Sequence, residues 1–241
     1  MKCIKLFKEQ TAFDKAKSTL DRPNVSLVKE NNNVYLLKKK NANGYSYVDL
    51  GLPSGTLWAT MNVGATSESD YGSYFQWGDT VDKSNADCTW TIYKHCNGSN
   101  KALTKYCTNS EYGTVDNKTT LDPEDDAVRV YMGGDWRIPT QTEFDELLSG
   151  TTNEWIADYD GTGVSGRKFT SKTDTSKYIF IPAAGFRSDS SFQYQGSAVA
   201  VWSSSLYTSL SDCAWELSLS SDSPVVSYSA RSFGLVVRGV L

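Results

Sequence analysis

Short apolar stretches separated by turn-forming residues recur along the sequence, and they limit the folds open to the chain more than any other feature. Each stretch has the length of a β-strand and is too short for a typical helix. The predicted strands lie at residues 45–52, 56–63, 178–181, 200–203, 214–217 and 235–238. Helical signals fall between the early and the late strands, which is typical of an α+β domain rather than of a parallel α/β domain.

Capping residues predict two helices between these groups of strands. Asp122 precedes Pro123, so we expect it to be the N-cap of the first helix, with the acidic residues 124–126 in the first turn. Thr140 and Glu143 have the spacing of a capping box, which marks the start of the second helix.

Residues 1–42 form a predicted small αβ unit that precedes a larger domain of residues 43–241. The unit has a predicted strand at residues 3–7, a helix capped by Thr11, and a β-hairpin. About 40 residues rarely bury enough apolar surface to be stable alone. We therefore expect this unit to attach to the larger domain, to a second copy of itself or to a partner particle, with residues 38–43 as the linker.

Aromatic residues supply much of the predicted core. The chain has seven tryptophans and fourteen tyrosines, which bury a large area per residue and suit a domain with long ordered loops. Residues 80–120 are polar and nearly free of aliphatic runs, so we expect a long excursion loop, a feature usually associated with function or mobility. We assign five tryptophans to core packing rather than to sugar stacking: Trp58, Trp77, Trp136, Trp202 and Trp215.

Charge and hydropathy exclude several classes of partner. The net charge of −4 argues against nucleic-acid binding, which favours a basic face. The lysine run at residues 38–40 is interpreted as a solvated edge rather than as a phosphate site. The first eight residues contain no apolar run of a secretory signal, and no stretch has the length of a membrane span. We therefore expect synthesis in the cytoplasm without membrane insertion.

The five cysteines, at positions 3, 88, 96, 107 and 213, are odd in number and lack CxxC spacing. This pattern fits neither a disulfide framework nor a zinc site. Pairing among Cys88, Cys96 and Cys107 stays open, but free thiols are the preferred interpretation. His95 is the single histidine and lies in the polar region, so the sequence gives little support to a Ser-His or Cys-His nucleophile.

Several ordered blocks resemble a C-type-lectin-like domain found in gut bacteria and their phages. The blocks are residues 47–59 (YVDLGLPSGTLWA), 62–65 (NVGA), 74–79 (YFQWGD), 134–140 (GDWRIPT), 143–148 (EFDELL), 201–205 (VWSSS) and 233–238 (FGLVVR). Block 134–140 resembles the helix entry that this domain shares with the formylglycine-generating-enzyme fold. The resemblance spans about residues 45–241 and implies a C-type-lectin-like fold.

Within that fold the chain resembles the variable proteins of diversity-generating retroelements, which diversify AAY codons near the C-terminus. Residues 186–234 are rich in serine, and the other side chains scattered among them are of types reachable from Asn codons by adenine changes: Phe192, Tyr194, Leu210, Asp212, Cys213, Tyr228 and Phe233. Trp202, Trp215, Glu216 and Arg238 do not fit this pattern and are interpreted as scaffold. The implied ligand-binding residues are Phe192, Tyr194, Ala198, Ala200, Leu210, Asp212, Cys213, Ser218, Ser220, Tyr228, Ser229, Ala230 and Phe233.

Calcium-dependent sugar binding is not expected, because the Glu-Pro-Asn, Gln-Pro-Asp and Trp-Asn-Asp triplets of sugar-binding C-type lectins do not occur. Residues 123–126 are rich in oxygen ligands, but the first turn of a helix explains them better. We expect neither a metal nor a cofactor.

The resemblance implies a non-catalytic receptor-binding protein of a phage tail or virion that recognises a host-surface protein or glycan. Tyrosine and phenylalanine combined with serine and asparagine favour adaptable recognition. The N-terminal unit would bind virion or tail components, and homo-oligomerisation stays open. One alternative is a structural decoration protein of the virion. The other is an enzyme of the formylglycine-generating type, for which Cys213 alone would have to supply the chemistry of a cysteine pair.

Overall fold

The computed structural model describes residues 6–7, 25–30, 34–39 and 41–241. The strands are β1 (Leu6–Phe7), β2 (Val25–Glu30), β3 (Val34–Lys39), β4 (Asn41–Ala42), β5 (Tyr45–Asp49), β6 (Leu57–Asn62), β7 (Tyr74–Phe75), β8 (Thr151–Ile156), β9 (Gly166–Ser171), β10 (Tyr178–Pro182), β11 (Phe186–Ser188), β12 (Ser191–Gln193), β13 (Ala198–Leu206), β14 (Cys213–Ser220), β15 (Val225–Ala230), β16 (Leu235–Val236) and β17 (Arg238–Val240). Sheets with few helices agree with the α+β class that the sequence predicts.

The helices of the described residues are short. They are α1 (Ala127–Met132), α2 (Gln141–Gly150) and single 3-10 turns at Trp90–Ile92, Pro123–Asp125 and Tyr159–Gly161. None of them combines the length and the apolar character that a membrane crossing requires. The capping box of α2 is confirmed, since the Thr140 hydroxyl accepts from the Glu143 backbone N–H and the Glu143 carboxylate accepts from the Thr140 backbone N–H.

The first helix begins later than the sequence predicts. Asp126, not Asp122, is the side-chain N-cap of α1, and its carboxylate accepts from the backbone N–H of Arg129 at 3.0 Å. The Pro123–Asp125 turn precedes α1, and the Asp122 side chain does not cap it. Asp122 instead pairs with Lys105 and Lys118, so tertiary charge contacts replaced the expected local cap.

The largest sheet has the strand order β15-β14-β13-β16-β7. β13, β14 and β15 form an antiparallel ladder in which Ala200 pairs with Ser218 and Glu216 pairs with Ser227. Because neighbouring side chains of a strand point to opposite faces, this ladder presents two chemically different surfaces. One of them lies over α2, where Val201 and Leu217 belong to the same buried cluster as Phe144.

A second sheet, with the order β17-β6-β5-β4, joins the beginning and the end of the domain, because β17 pairs with β6. β8, β9 and β10 form a three-stranded antiparallel sheet, and β11 and β12 form a hairpin. The predicted linker at residues 38–43 is wrong in detail. Lys38 and Lys39 belong to β3, and β4 is hydrogen-bonded to β5 as part of the second sheet.

In the N-terminal unit, β2 and β3 form the expected antiparallel hairpin, with Glu30 opposite Val34. β1 pairs with the other edge of β3. The predicted strand at residues 3–7 is described only at Leu6–Phe7, and the predicted helix capped by Thr11 lies outside the described residues.

Four of the five tryptophans assigned to the core are buried: Trp58, Trp77, Trp136 and Trp202. The assignment of Trp215 is wrong in part, because its side chain is only half-buried. It packs edge-on against Tyr207, with 4.9 Å between ring centroids. Trp215 therefore lies at the margin of the sheet rather than inside the main clusters.

Residues 80–120 form the expected long excursion, with little regular structure, and they pack around a cluster of their own. Tyr93, Leu103, Cys107 and Tyr112 are its buried members. Such a cluster can be built from a polar sequence because aromatic rings supply the apolar area that aliphatic runs would otherwise provide.

Arg231, directly after β15, ties this excursion to the sheet. Its fully buried guanidinium donates to the Tyr93 hydroxyl at 2.9 Å and to the carbonyls of Lys105, Tyr106 and Ser211 at 2.9–3.0 Å. These bonds satisfy a planar donor fork with neutral oxygens. One side chain thereby holds three separate segments of chain.

We expect Arg231→Met to lower the free energy of unfolding by at least about 3 kcal/mol, since several buried acceptors lose their donor at once. Urea unfolding followed by tryptophan fluorescence measures this. Arg129→Met is the matched control, because its side chain is about a third exposed, and its effect should stay within about 1 kcal/mol. Equal losses for the two variants would contradict the role given to Arg231.

Candidate functional site

Around Ala198 and Ala200, the face of the β13–β15 ladder that points away from α2 carries small side chains, whereas Trp202 of the same face is buried in a second core cluster. Ala198 and Ala200 of β13 pair with Ser220 and Ser218 of β14. Side chains of this size cannot fill the space in front of a sheet. The opposite face has Val199, Val201, Leu217 and Leu219, which the core requires. These small residues therefore leave a depression in front of β13 and β14.

This depression is a pocket of about 350 Å³. Its volume falls within the range of small-molecule sites. The described residues that line it are Phe186, Tyr194, Ser197, Ala198, Val199, Ala200, Glu216, Ser218, Ser220 and Ser229. The lining therefore combines apolar surface, four serine hydroxyls and one carboxyl group.

Three aromatic rings form an array beside the pocket. Phe186 lies between Phe233, with 5.5 Å between ring centroids, and Tyr194, at 5.9 Å. Tyr194 is 65% exposed. Its backbone takes a positive φ of 57°. A left-handed backbone is costly for a residue other than glycine. The ring is thus held out at the pocket edge by the turn that leads into β13.

Glu216 is the acidic residue of the described pocket lining, and it is 5% exposed. The Ser229 hydroxyl hydrogen-bonds to its carboxyl group. The Oε2 atom is buried and has no hydrogen-bond partner among the residues that the structure describes. Burial raises the pKa of Glu216 to about 7, and the bond from Ser229 offsets this effect only in part.

This carboxyl group should make stability depend on pH. The unfolded chain loses the proton near the ordinary pKa of 4.5, whereas the folded chain keeps it until about pH 7. Its contribution to stability is therefore complete below about pH 4.5 and is lost as the pH rises to about 7, a change of about 3 kcal/mol. We expect Glu216→Gln to remove that decline, as measured by urea unfolding between pH 4 and pH 8.

Glu154→Gln serves as the control, because Glu154 is an exposed residue of β8 and does not line the pocket. It should leave the pH profile of stability close to that of the unmodified chain. Parallel profiles for the unmodified chain and Glu216→Gln would show that the Glu216 carboxyl group is not buried in a dry environment.

Six of the thirteen residues predicted to bind ligand line this pocket: Tyr194, Ala198, Ala200, Ser218, Ser220 and Ser229. Phe233 joins them through its contact with Phe186. Ala200 is buried, so it contributes to the wall of the pocket and not to an exposed patch. Phe192 lies on the neighbouring hairpin, where its ring packs on Tyr74 and under the Arg187 guanidinium.

The expectation of one continuous patch is wrong for the remaining residues. Tyr228 is 45% exposed but lies on the opposite face of β15, stacked on Tyr207 at 4.0 Å between ring centroids. Ala230 and Cys213 pair with each other and share that face. The alternation of strand side chains causes this separation, since Tyr228 directly precedes the pocket residue Ser229.

Leu210 and Asp212 lie in the turn between β13 and β14 and face the excursion. Leu210 packs on the cluster that contains Tyr93 and Leu103. The Asp212 carboxylate accepts from the Asn100 side-chain amide at 2.7 Å. Both residues therefore have a structural contact that the sequence pattern did not indicate.

The sequence interpretation missed Phe186, Ser197, Val199 and Glu216 as pocket residues. Glu216 was assigned to the scaffold because it does not fit the codon pattern. A signal was available in the alternation of β14, where Glu216 lies two residues before Ser218 and therefore on the same face.

An acidic cluster that overlaps the oxygen-rich residues 123–126 lies outside the pocket. Carboxylate oxygens of Asp122, Glu124 and Asp125 lie within 4.8 Å of one another. The Lys105 ammonium lies among them, 2.5 Å from Asp122 and 2.6 Å from Asp125. Burial opposes ionisation of Asp125, but hydrogen bonds from Lys105, Lys94 and Tyr106 outweigh it and lower its pKa to about 2. The Lys105 ammonium thus already supplies the positive charge that a calcium ion would bring to these carboxylates.

The described cysteines, Cys88, Cys96, Cys107 and Cys213, are free thiols. Burial, together with the neighbouring Asp212 carboxylate, raises the pKa of Cys213 to about 12. Such a thiol is protonated near neutral pH and is a weak nucleophile. His95 is buried, and its Nε2 contacts the carbonyl of Gly78 at 2.8 Å.

Comparison of the chain with protein-family models, curated proteins and solved structures finds no match.

Proposed function

We propose that the chain is a non-catalytic ligand-binding protein whose recognition site is the pocket between Phe186, Tyr194 and the small-residue face of β13–β15. The observation that carries this proposal is the convergence of six predicted contact residues on one pocket, whose lining includes a buried carboxyl oxygen, Glu216 Oε2, without a partner among the described residues. Pockets that combine apolar walls with a few convergent polar groups are the usual form of ligand sites.

We further propose that residues 43–241 have a C-type-lectin-like fold. The opening block of the resemblance lies largely in β5 and β6, and its closing block lies in β16 and the start of β17. These blocks meet in one sheet, because β17 pairs with β6. This arrangement is consistent with a single domain over the whole span of the resemblance.

The proposed biological role is that of a diversified receptor-binding protein of a phage tail or virion, directed at a host-surface protein or glycan. The substitutions would fall mainly on the pocket and its aromatic edge. Alanine and serine at positions 198, 200, 218 and 220 set the width of the pocket, since any larger side chain there would narrow it. Residues 1–42 would attach the domain to the particle.

Two alternatives make different predictions. A structural decoration protein of the virion would have no specific ligand, and its gene would lack a nearby reverse transcriptase and a near-identical template repeat. An enzyme of the formylglycine-generating type would need a reactive thiol at Cys213. The raised pKa of that thiol weighs against this alternative.

Blocking the pocket tests the proposed function. Ser218→Trp places an indole in the pocket, and we expect it to reduce binding of the fluorescently labelled protein to intact gut-bacterial cells at least tenfold. Flow cytometry over a panel of gut-bacterial isolates measures binding of the unmodified protein and of the variant to each isolate.

Thr175→Trp is the control, because Thr175 is exposed in the turn between β9 and β10 and does not line the pocket. It should bind cells as the unmodified protein does. If Ser218→Trp binds equally well, or if the unmodified protein binds none of the isolates, the proposal of a recognition pocket is wrong.

A further inference from the structure

The chemistry of the pocket identifies a class of ligand, an inference that rests on the proposed function. An acceptor that is buried without a partner is costly, and such groups in folded proteins usually mark a missing water, ion or ligand. Glu216 has one such oxygen, Oε2, while Ser229 bonds to the carboxyl group. A ligand that brings a hydrogen-bond donor would supply the missing partner.

The charges around Glu216 favour a cationic donor. Tyr194 is the other titratable side chain of the described lining, which includes no basic residue. On the adjoining strands, Tyr228 and Cys213 point to the opposite face. The Arg187 guanidinium of β11 donates to the carbonyls of Ser84 and Ser190 and is not paired with Glu216. An ionised Glu216 therefore has no counter-ion in the described pocket lining.

The rest of the lining suits a cation on an aliphatic stem. Ala198, Ala200 and Phe186 offer apolar contact to methylene groups. The exposed ring of Tyr194 can in addition attract an ammonium group through its π face. A sugar would expose many hydroxyl groups to these apolar walls and leave them without partners.

We propose that the pocket binds the side chain of a lysine presented by a protein ligand, with the ammonium group donating to the Glu216 carboxylate. The methylene stem lies along Ala198 and Ala200, and the serines at the pocket margin contact the backbone of the ligand. Of the two ligand classes named above, this selects a surface protein over a glycan.

Titration of the ¹⁵N-labelled full chain with Nα-acetyl-lysine methylamide tests this, followed by amide chemical shifts. We expect saturable shifts at Ala198, Ala200 and Ser218, with affinity about tenfold higher at pH 8 than at pH 6, because binding requires the ionised carboxylate. Glu216→Gln should abolish the shifts, and Glu154→Gln should preserve them. Ser218→Trp, which keeps Glu216 but fills the pocket, should abolish them too.

Two further probes distinguish the parts of the ligand. Nε-acetyl-lysine methylamide keeps the stem without the charge, and glucosamine keeps an ammonium group on a sugar. Equal binding of the Nε-acetylated probe, tighter binding of glucosamine, or no saturable shift with the lysine probe would overturn the proposal.

The experiments distinguish a failure of the lysine assignment from a failure of the proposed function. If Ser218→Trp loses cell binding while Glu216→Gln retains it, the pocket recognises its target without the cation, and only the lysine assignment is wrong. If the lysine probe binds but no cell does, the recognition role is wrong, and the lysine assignment loses the function on which it rests.

Discussion

The alternation of side chains along β13, β14 and β15 is the constraint on which the site depends. Val201 and Leu217 must point towards α2 to complete the core. The residues that alternate with them along each strand must therefore point the other way. At positions 198, 200, 216, 218 and 220 those residues are alanine, serine and one glutamate, and Trp202 of the same face is buried in a second core cluster. Core packing thereby fixes a pocket whose walls are small side chains on a rigid ladder, and its depth is decided by side-chain size rather than by backbone shape.

Buried cations stabilise the scaffold behind this pocket. Arg231 joins the excursion to the end of β15, and Arg238 of β17 donates to Asn62 and to the carbonyls of Ala59 and Phe180. Both guanidinium groups are satisfied by neutral oxygens instead of by carboxylates. Burial lowers the pKa of Arg238 to about 9, which leaves it protonated at neutral pH. Neither guanidinium group pairs with Glu216.

Local sequence signals predicted the regular elements well where local interactions determine them. The capping box at Thr140 and Glu143 and the strand patterns after residue 168 correspond to α2 and to the late strands. These local signals failed where contacts with other segments of the chain determine the structure. Asp122 pairs with Lys105 of the excursion, and the residues expected in a linker join strands instead, Lys38 and Lys39 by pairing with β2 and Asn41 and Ala42 by pairing with β5.

The sequence predicted which residue types form the site better than it predicted which of them lie together. Codon pattern and residue type do not specify which face of a strand a residue occupies, so Tyr228 and Ser229 were grouped together although they lie on opposite faces. The burial of Glu216 depends on the rings and strands that cover it, which only the assembled fold brings together. Strand alternation, applied to β14, would have placed Glu216 beside Ser218.

The ionisation of Glu216 separates a ligand pocket from an ordinary sheet surface, because the proposed site requires a dry carboxyl group in its lining. Carboxyl ¹³C NMR of the selectively labelled chain measures the midpoint in the folded state. A dry carboxyl group should give a midpoint near pH 7. A midpoint near the ordinary value of 4.5 would mean that water already solvates the carboxyl group. Glu216 would then not be the dry group that the proposed site requires.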